Sequence, residues 1–185
     1  MGRNSGGIRG GSKKRLYEIN KIISQRIEFN ALINSGEYDI KRSYFDAKSG
    51  GFVVTHNEHN KIKDKNKDKS DIASKILAQN GYKVYLDSEK STHNYEKRRD
   101  GRLNNDAMDI KTINNIGKYT LKSALESAAS QKSKLCIVFE NTKKMEDNYI
   151  IHQIELYRKY LRDKDSKVEQ LIVVNNGGNI KHFHI

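Results

Sequence analysis

The residues with the most chemical potential lie in one short stretch, KRRDGRLNNDAMDIKTI, which runs from Lys97 to Ile113. Asn104-Asn105 is a credible two-residue hairpin turn, because asparagine tolerates positive φ. With the turn centred there, Leu103 faces Asp106, Arg102 faces Ala107 and Asp100 faces Asp109. Directly opposed residues share a face, with Cβ atoms about 4.5–5.5 Å apart. Lys111 follows Asp109 by two positions and shares its face, while Leu103, Met108 and Ile110 take the other. This register opposes two carboxylates and adds an ammonium. Opposed carboxylates repel each other unless positive charge lies between them, and a hard divalent cation would supply it. Such a site suits phosphodiester chemistry, with Lys111 positioning or activating water or neutralising charge. The plainer reading is a polar surface hairpin with Lys111 and Arg98 as counter-charges, and a one-residue change of register would separate Asp100 from Asp109.

Other residues offer weaker chemistry. His56 and His59 form an HxxH pair that could serve as an acid–base pair in a metal-free ribonuclease, or be two loop histidines. As zinc ligands they lack a third partner. His182 and His184 alternate with Phe183, as a solvent-facing strand would. Lys97, Arg98, Arg99 and Arg102 flank the carboxylates and could hold a phosphate backbone, with Tyr95 and Tyr119 available to stack bases. The lysines of 61–69 would add non-specific phosphate affinity or simply be solvated. Cys136 lies in the apolar run Leu135–Phe139 and reads as a buried, inert thiol.

The elements around the hairpin follow from periodicity. Residues 1–13 read as a flexible basic tail, and 14–35 as a helix with Leu16, Ile19, Ile23 and Ile27 on its apolar face. Phe52–Thr55 is β-like. Residues 57–70 form a charged, low-complexity connection. This divides the chain into a tail (1–13), a helix with a charged connecting segment (14–69) and an α/β core (70–185). Within the core, helices are expected at 71–79, 119–131 and 147–162. Strands are expected at 82–86, on both sides of Asn104-Asn105, and at 135–140, 171–174 and 180–185. The resulting order, α-β-β-β-α-β-α-β-β, implies a mixed sheet flanked by helices, an α/β (α+β) class.

Composition narrows the partners. The 185 residues carry 35 Lys+Arg against 23 Asp+Glu, a net charge of +12, which favours a polyanion through phosphate neutralisation. An A/T-rich genome that over-uses lysine and asparagine would produce part of the same excess. A single cysteine excludes an internal disulfide framework and a cysteine-based zinc site. No apolar run approaches the ~18 residues of a membrane span, and Met1–Ser12 has no apolar signal core, so the expected location is the cytosol.

Asp100, eight intervening residues and Asp109-Ile110-Lys111 together resemble the PD-(D/E)XK nuclease signature in its short-spacing form. The preceding KSDIASKILAQNGYKVYL resembles the segment before that hairpin in contact-dependent growth-inhibition toxin nucleases and related mobile-element proteins. The resemblance covers roughly Ser70–Glu140, and its αβββαβ order matches the nuclease core. Arg99 stands where the signature has proline. The resemblance implies a divalent metal, Mg²⁺ or Mn²⁺, held by Asp100, Asp109, the carbonyl of Ile110 and Asp71 of the first core helix. It implies a polar active-site role for Gln131, a tilt toward RNA (tRNA among them) over DNA, and an acidic immunity protein as partner. For Asp71 the alternative is an acid facing its helix dipole, and for Gln131 a solvated helix end.

Three functions thus stand open. They are a metal-dependent nuclease, a metal-independent ribonuclease using His56 or His59 with Lys111, and a non-catalytic nucleic-acid-binding accessory protein.

Overall fold

The computed structural model describes residues 9–59, 67–88, 99–141, 144–161 and 167–185. Among the described residues, eight strands form one mixed sheet in chain order: β1 (Tyr44–Phe45), β2 (Phe52–Thr55), β3 (Lys83–Leu86), β4 (Gly101–Leu103), β5 (Asp106–Ile113), β6 (Leu135–Glu140), β7 (Gln170–Asn175) and β8 (Ile180–His184). Four helices accompany them: α1 (Arg9–Asn34), α2 (Lys67–Gln79), α3 (Thr120–Ser130) and α4 (Asp147–Tyr160). Parallel pairs β2–β3, β5–β6 and β6–β7 are joined through α2, α3 and α4, while the other neighbours are antiparallel. Helical crossovers are what parallel neighbours require. From α2 onward the order is α-β-β-β-α-β-α-β-β, as periodicity predicts.

The two faces of the sheet are covered differently. One face packs Val53, Val84, Leu86, Leu103, Met108, Ile110, Ile137 and Phe139 against Ala73, Ile76 and Leu77 of α2. On the other face, α3 and α4 cover the far half through Leu121, Leu125, Ile150 and Ile154, set against Ile113, Cys136, Val138 and Leu171. The near half of that face is covered by α1, whose Phe29, Leu32 and Ile33 pack on Phe52, Val54 and Tyr85. β6 is buried along its whole length because helices lie on both sides of it, which is why its sequence LCIVFE shows no alternation.

Several boundaries differ from expectation. α1 begins at Arg9, so residues 9–13 are helical rather than part of a tail. The stripe Leu16, Ile19, Ile23 and Ile27 is 43–64% exposed rather than buried. The helix docks instead through its C-terminal Phe29, Leu32 and Ile33, whose bulk fills the space over Phe52. Apolar residues lie on more than one side of α1, so periodicity does not single out the docking face. α2 begins at Lys67, four residues before the expected start, and His59 in the charged segment is buried. Segment 14–69 also contributes β1 and β2 to the sheet, beyond a helix and a charged connection. Residues 60–66 and 1–8 lie outside the described residues. Among the described residues no helix is long and apolar enough to cross a membrane.

Gly101 begins β4 for a steric reason. A Cβ there would lie 1.9 Å from the carbonyl oxygen of Tyr85 on β3. That oxygen cannot move without breaking the β3–β4 ladder. Gly101→Ala is therefore expected to destabilise the protein by about 2–4 kcal/mol, read as a lowered urea midpoint.

Candidate active site

The hairpin adopts the register that the Asn-Asn turn implies. Leu103 pairs with Asp106, Arg102 with Ala107 and Gly101 with Met108, which sets Asp100 opposite Asp109. Asn104 takes positive φ, at 56°, and its backbone N–H and side-chain Oδ1 both bond to Lys83, tying the turn to β3. Leu103, Met108 and Ile110 are buried on the α2 face, leaving Asp100, Asp109 and Lys111 on the face of α1, α3 and α4. On that face β4 and the start of β5 fall between the part covered by α1 and the part covered by α3 and α4. The carboxylates thus sit in the gap between two helical layers.

Asp109 is fully buried, and its Oδ2 lies 2.7 Å from Lys111 Nζ. Lys111 keeps about a quarter of its side chain exposed, so the pair has one buried and one solvent-facing partner. Asp100 is half-buried and accepts the Ile110 N–H at Oδ2, at 2.7 Å, which locks the two strands where the ladder ends. Gln131 is the C-cap residue of α3, held by bonds from its N–H to the carbonyls of Ser127 and Ala128. With its amide nitrogen turned toward Asp109, Gln131 donates to both carboxylate oxygens, at 3.0 Å to Oδ2. The N-terminus of α3 is fixed by buried Gln153 of α4, which bonds both the Lys118 carbonyl and the Lys122 N–H. Helix packing thereby sets where Gln131 reaches.

The electrostatics are frustrated. Burial, then the negative charge of Asp100, push the Asp109 carboxyl up to about 7, against the pull of the Lys111 ammonium. Cys136 is the β6 partner of Asp109, and burial raises its thiol far above the ordinary range. A thiol held neutral is a poor nucleophile, so Cys136 is expected to resist alkylation until the protein unfolds.

The other candidates lie elsewhere or are otherwise engaged. Asp71 on α2 pairs with Arg42 at 3.8 Å and is not gathered with Asp100 and Asp109. α2 packs on the opposite face of the sheet from these carboxylates. Ile110 stands between Asp109 and Lys111, its N–H engaged by Asp100. Arg102 makes a two-pronged ion pair with Asp87 (2.9 Å from Nη2 to Oδ1) and lies over the Tyr85 ring. Arg99 is exposed, while Lys97, Arg98 and Tyr95 lie outside the described residues. His59 is buried, its Nδ1 2.7 Å from the Asp87 carbonyl oxygen. His56 Nδ1 accepts the Glu58 N–H, and its ring meets Tyr38 edge-on. Tyr119 caps α3 beside Lys118, and His182 bonds the Tyr82 hydroxyl.

One residue of the site escapes sequence reasoning. Asp87 follows β3 directly, and its N–H donates to the Asp100 carbonyl at 3.1 Å, so three acids (Asp87, Asp100 and Asp109) form one cross-strand row. An acid next to a strand end is a common surface feature, and only strand pairing reveals the row. Arg102 neutralises Asp87 and Lys111 neutralises Asp109.

Among the described residues no three His, Cys, Asp or Glu side chains gather to hold a metal ion. Asp100 and Asp109 nevertheless fit a hard cation. Both are oxygen donors, they oppose each other, and the buried carboxyl is held unusually basic by its burial and then by its neighbour's charge. Mg²⁺-type ions commonly take only one or two protein carboxylates and keep several waters.

No family model matches the chain, and no curated protein matches it. Among solved structures, the chain is similar to one described as a CdiA-CT/CdiI toxin and immunity complex from Burkholderia pseudomallei. The likeness has 19% sequence identity and a TM-score of 0.46, over 68% of this chain and 92% of that one.

Proposed function

We propose that this protein is a metal-dependent nuclease that hydrolyses phosphodiester bonds, with RNA (tRNA among its forms) favoured over DNA. The observation that carries this reading is the buried Asp109, opposed to Asp100, contacted by Lys111 and reached by Gln131 in a gap on one face of the sheet. An ordinary surface hairpin would leave such a carboxylate in water. Burying it with a like charge costs stability, and such costs concentrate at functional sites. A net charge of +12 supports a polyanionic substrate.

In this reading Asp100 and Asp109 hold Mg²⁺ or Mn²⁺. The chemistry such a cation supplies is neutralisation of charge at the phosphate and a more acidic water. Lys111, whose side chain is partly exposed, faces the phosphate and offsets the charge that develops there. Gln131 holds the Asp109 carboxylate in one orientation. Asp71 is a weaker ligand candidate, because it is paired with Arg42. Exposed Arg99, with Lys97 and Arg98, would follow the phosphate backbone. A growth-inhibition toxin or mobile-element role, with an acidic immunity protein as inhibitor, follows from the sequence resemblance and belongs to the same proposal.

The metal-free ribonuclease reading finds less support. A general acid–base residue must reach the substrate, and His59 is buried with its ring tied to Asp87. The test is incubation with total RNA and with plasmid DNA, with and without Mg²⁺ or Mn²⁺. RNA cleavage that requires the metal is expected. Activity that survives both EDTA and Asp109→Ala would rule out the metal mechanism. Salt-sensitive binding without cleavage would point to the accessory-protein reading.

A further inference from the structure

A groove of about 660 Å³ runs between α1 and the β3 edge of the hairpin tip, away from the carboxylates. Tyr17, Asn20, Lys21 and Gln25 of α1 line one side, and Tyr82 and Asn104 line the other. Asn104 is the turn residue of the hairpin whose far end carries Asp100 and Asp109. Strand β5 rises about 10 Å from Asp106, beside the turn, to Asp109. The groove and the carboxylates also share a face, since α1 covers the part of the sheet that adjoins the site.

Gln25 is less than a tenth exposed, and its Oε1 has no hydrogen-bond partner among the described residues. That oxygen packs against Gly50, where a Cβ would meet it at 2.6 Å, and presents no surface to the groove. The local charge is positive. Glu28, the one acid among the described lining residues, is neutralised by Lys83 at 3.1 Å and accepts a hydrogen bond from the Tyr85 hydroxyl. The Lys21 ammonium lies near Gly81 at the α2–β3 turn, and no carboxylate among the described residues pairs with it. Tyr17 is 72% exposed at the mouth, an aromatic ring offered to solvent.

We propose that this groove binds one nucleotide of a single-stranded nucleic acid, at a position other than the phosphodiester that is cut. Lys21 takes the phosphate and Tyr17 stacks on the base. The amides of Asn20 and Asn104 read the base edge, which a single strand leaves open. The site would set which strand is held, and with it substrate choice, while Asp100 and Asp109 act elsewhere on that strand. This inference rests on the nucleic-acid reading above.

The test uses the full chain carrying Asp109→Asn, so that no strand is consumed. The probe is a short fluorescent single-stranded RNA, with each of the four nucleoside monophosphates as competitor. Adding Tyr17→Ala and Lys21→Ala, both on exposed positions, is expected to weaken binding about tenfold or more and to make the salt dependence shallower by about one phosphate contact. The monophosphates should compete unequally, and Asn20→Ala should level them. Unchanged affinity and salt slope in the Tyr17/Lys21 variant would overturn the proposal, as would the absence of competition by any monophosphate. Failure of the nuclease reading shows separately, as a parent chain that binds this RNA through the groove but cuts nothing.

Discussion

Asp109→Asn is expected to lower cleavage by about a thousandfold or more while making the metal-free protein more stable. The two effects share one cause. Asparagine keeps the shape and can still bond Gln131, but it carries no charge for a cation and none to be buried. In the parent, the Asp109 carboxyl is pushed from an ordinary 3.8 up to about 7 by burial and by Asp100. Between those values the folded protein holds a proton that the unfolded chain has released. Its stability therefore falls as pH rises through that window, and the full cost is present above about pH 7. The span corresponds to at most about 4 kcal/mol, and loss of the Lys111 contact offsets part of it. The variant should gain about 1–3 kcal/mol at about pH 8 and almost nothing at about pH 4. Thermal unfolding in EDTA at the two pH values checks this, beside the cleavage assay. A variant less stable than the parent at the higher pH would show that Asp109 is a structural ion-pair partner and not a strained functional acid.

The second large effect belongs to Lys111. Lys111→Met removes the cation that stands 2.7 Å from a fully buried carboxylate. Asp109 and Asp100 then face each other without compensation, and the Asp109 carboxyl rises further. Cleavage should fall by about a hundred- to a thousandfold, because no ammonium offsets charge at the phosphate. Stability should fall by about 1–3 kcal/mol above about pH 7, less than for a wholly buried pair because Lys111 is partly solvated. Near pH 5, where Asp109 is largely protonated, the loss should be small. Combining Lys111→Met with Asp109→Asn should restore stability but not activity, since the double variant buries no unpaired charge. Urea midpoints of the parent, both single variants and the double variant give the coupling directly. A Lys111→Met loss as large in the Asp109→Asn background as in the parent would mean that the two side chains do not interact as the geometry requires.

These expectations depend on a pairing that was legible before any fold was known. Asn104-Asn105 selects a two-residue turn, and strand alternation then places Asp100, Asp109 and Lys111 on one face, with Leu103, Met108 and Ile110 on the other. The order of the elements from α2 to β8 was equally accessible, because each has a clear period or a continuous apolar run. Local signals are strong where short-range sterics and burial agree.

Tertiary structure decided the rest. That Asp109 is buried and raised to about 7, while Asp100 stays half-exposed, depends on how far α3 and α4 extend over the sheet. That Gln131 reaches Asp109 depends on Gln153 of another helix fixing the start of α3. Asp87 entered the row only through the pairing of β3 with β4, and Asp71 left the group because α2 covers the other face. The stripe of Leu16, Ile19, Ile23 and Ile27 was misleading for the same reason, since periodicity marks apolar sides and not which side has a neighbour. By itself the sequence determined which groups can act and which of them share a strand face, because a two-residue period and a tight turn are local geometry. Which of those groups lose their water, and what then stands beside them, was settled only by the packing of distant elements, because desolvation and charge pairing are properties of the assembled fold.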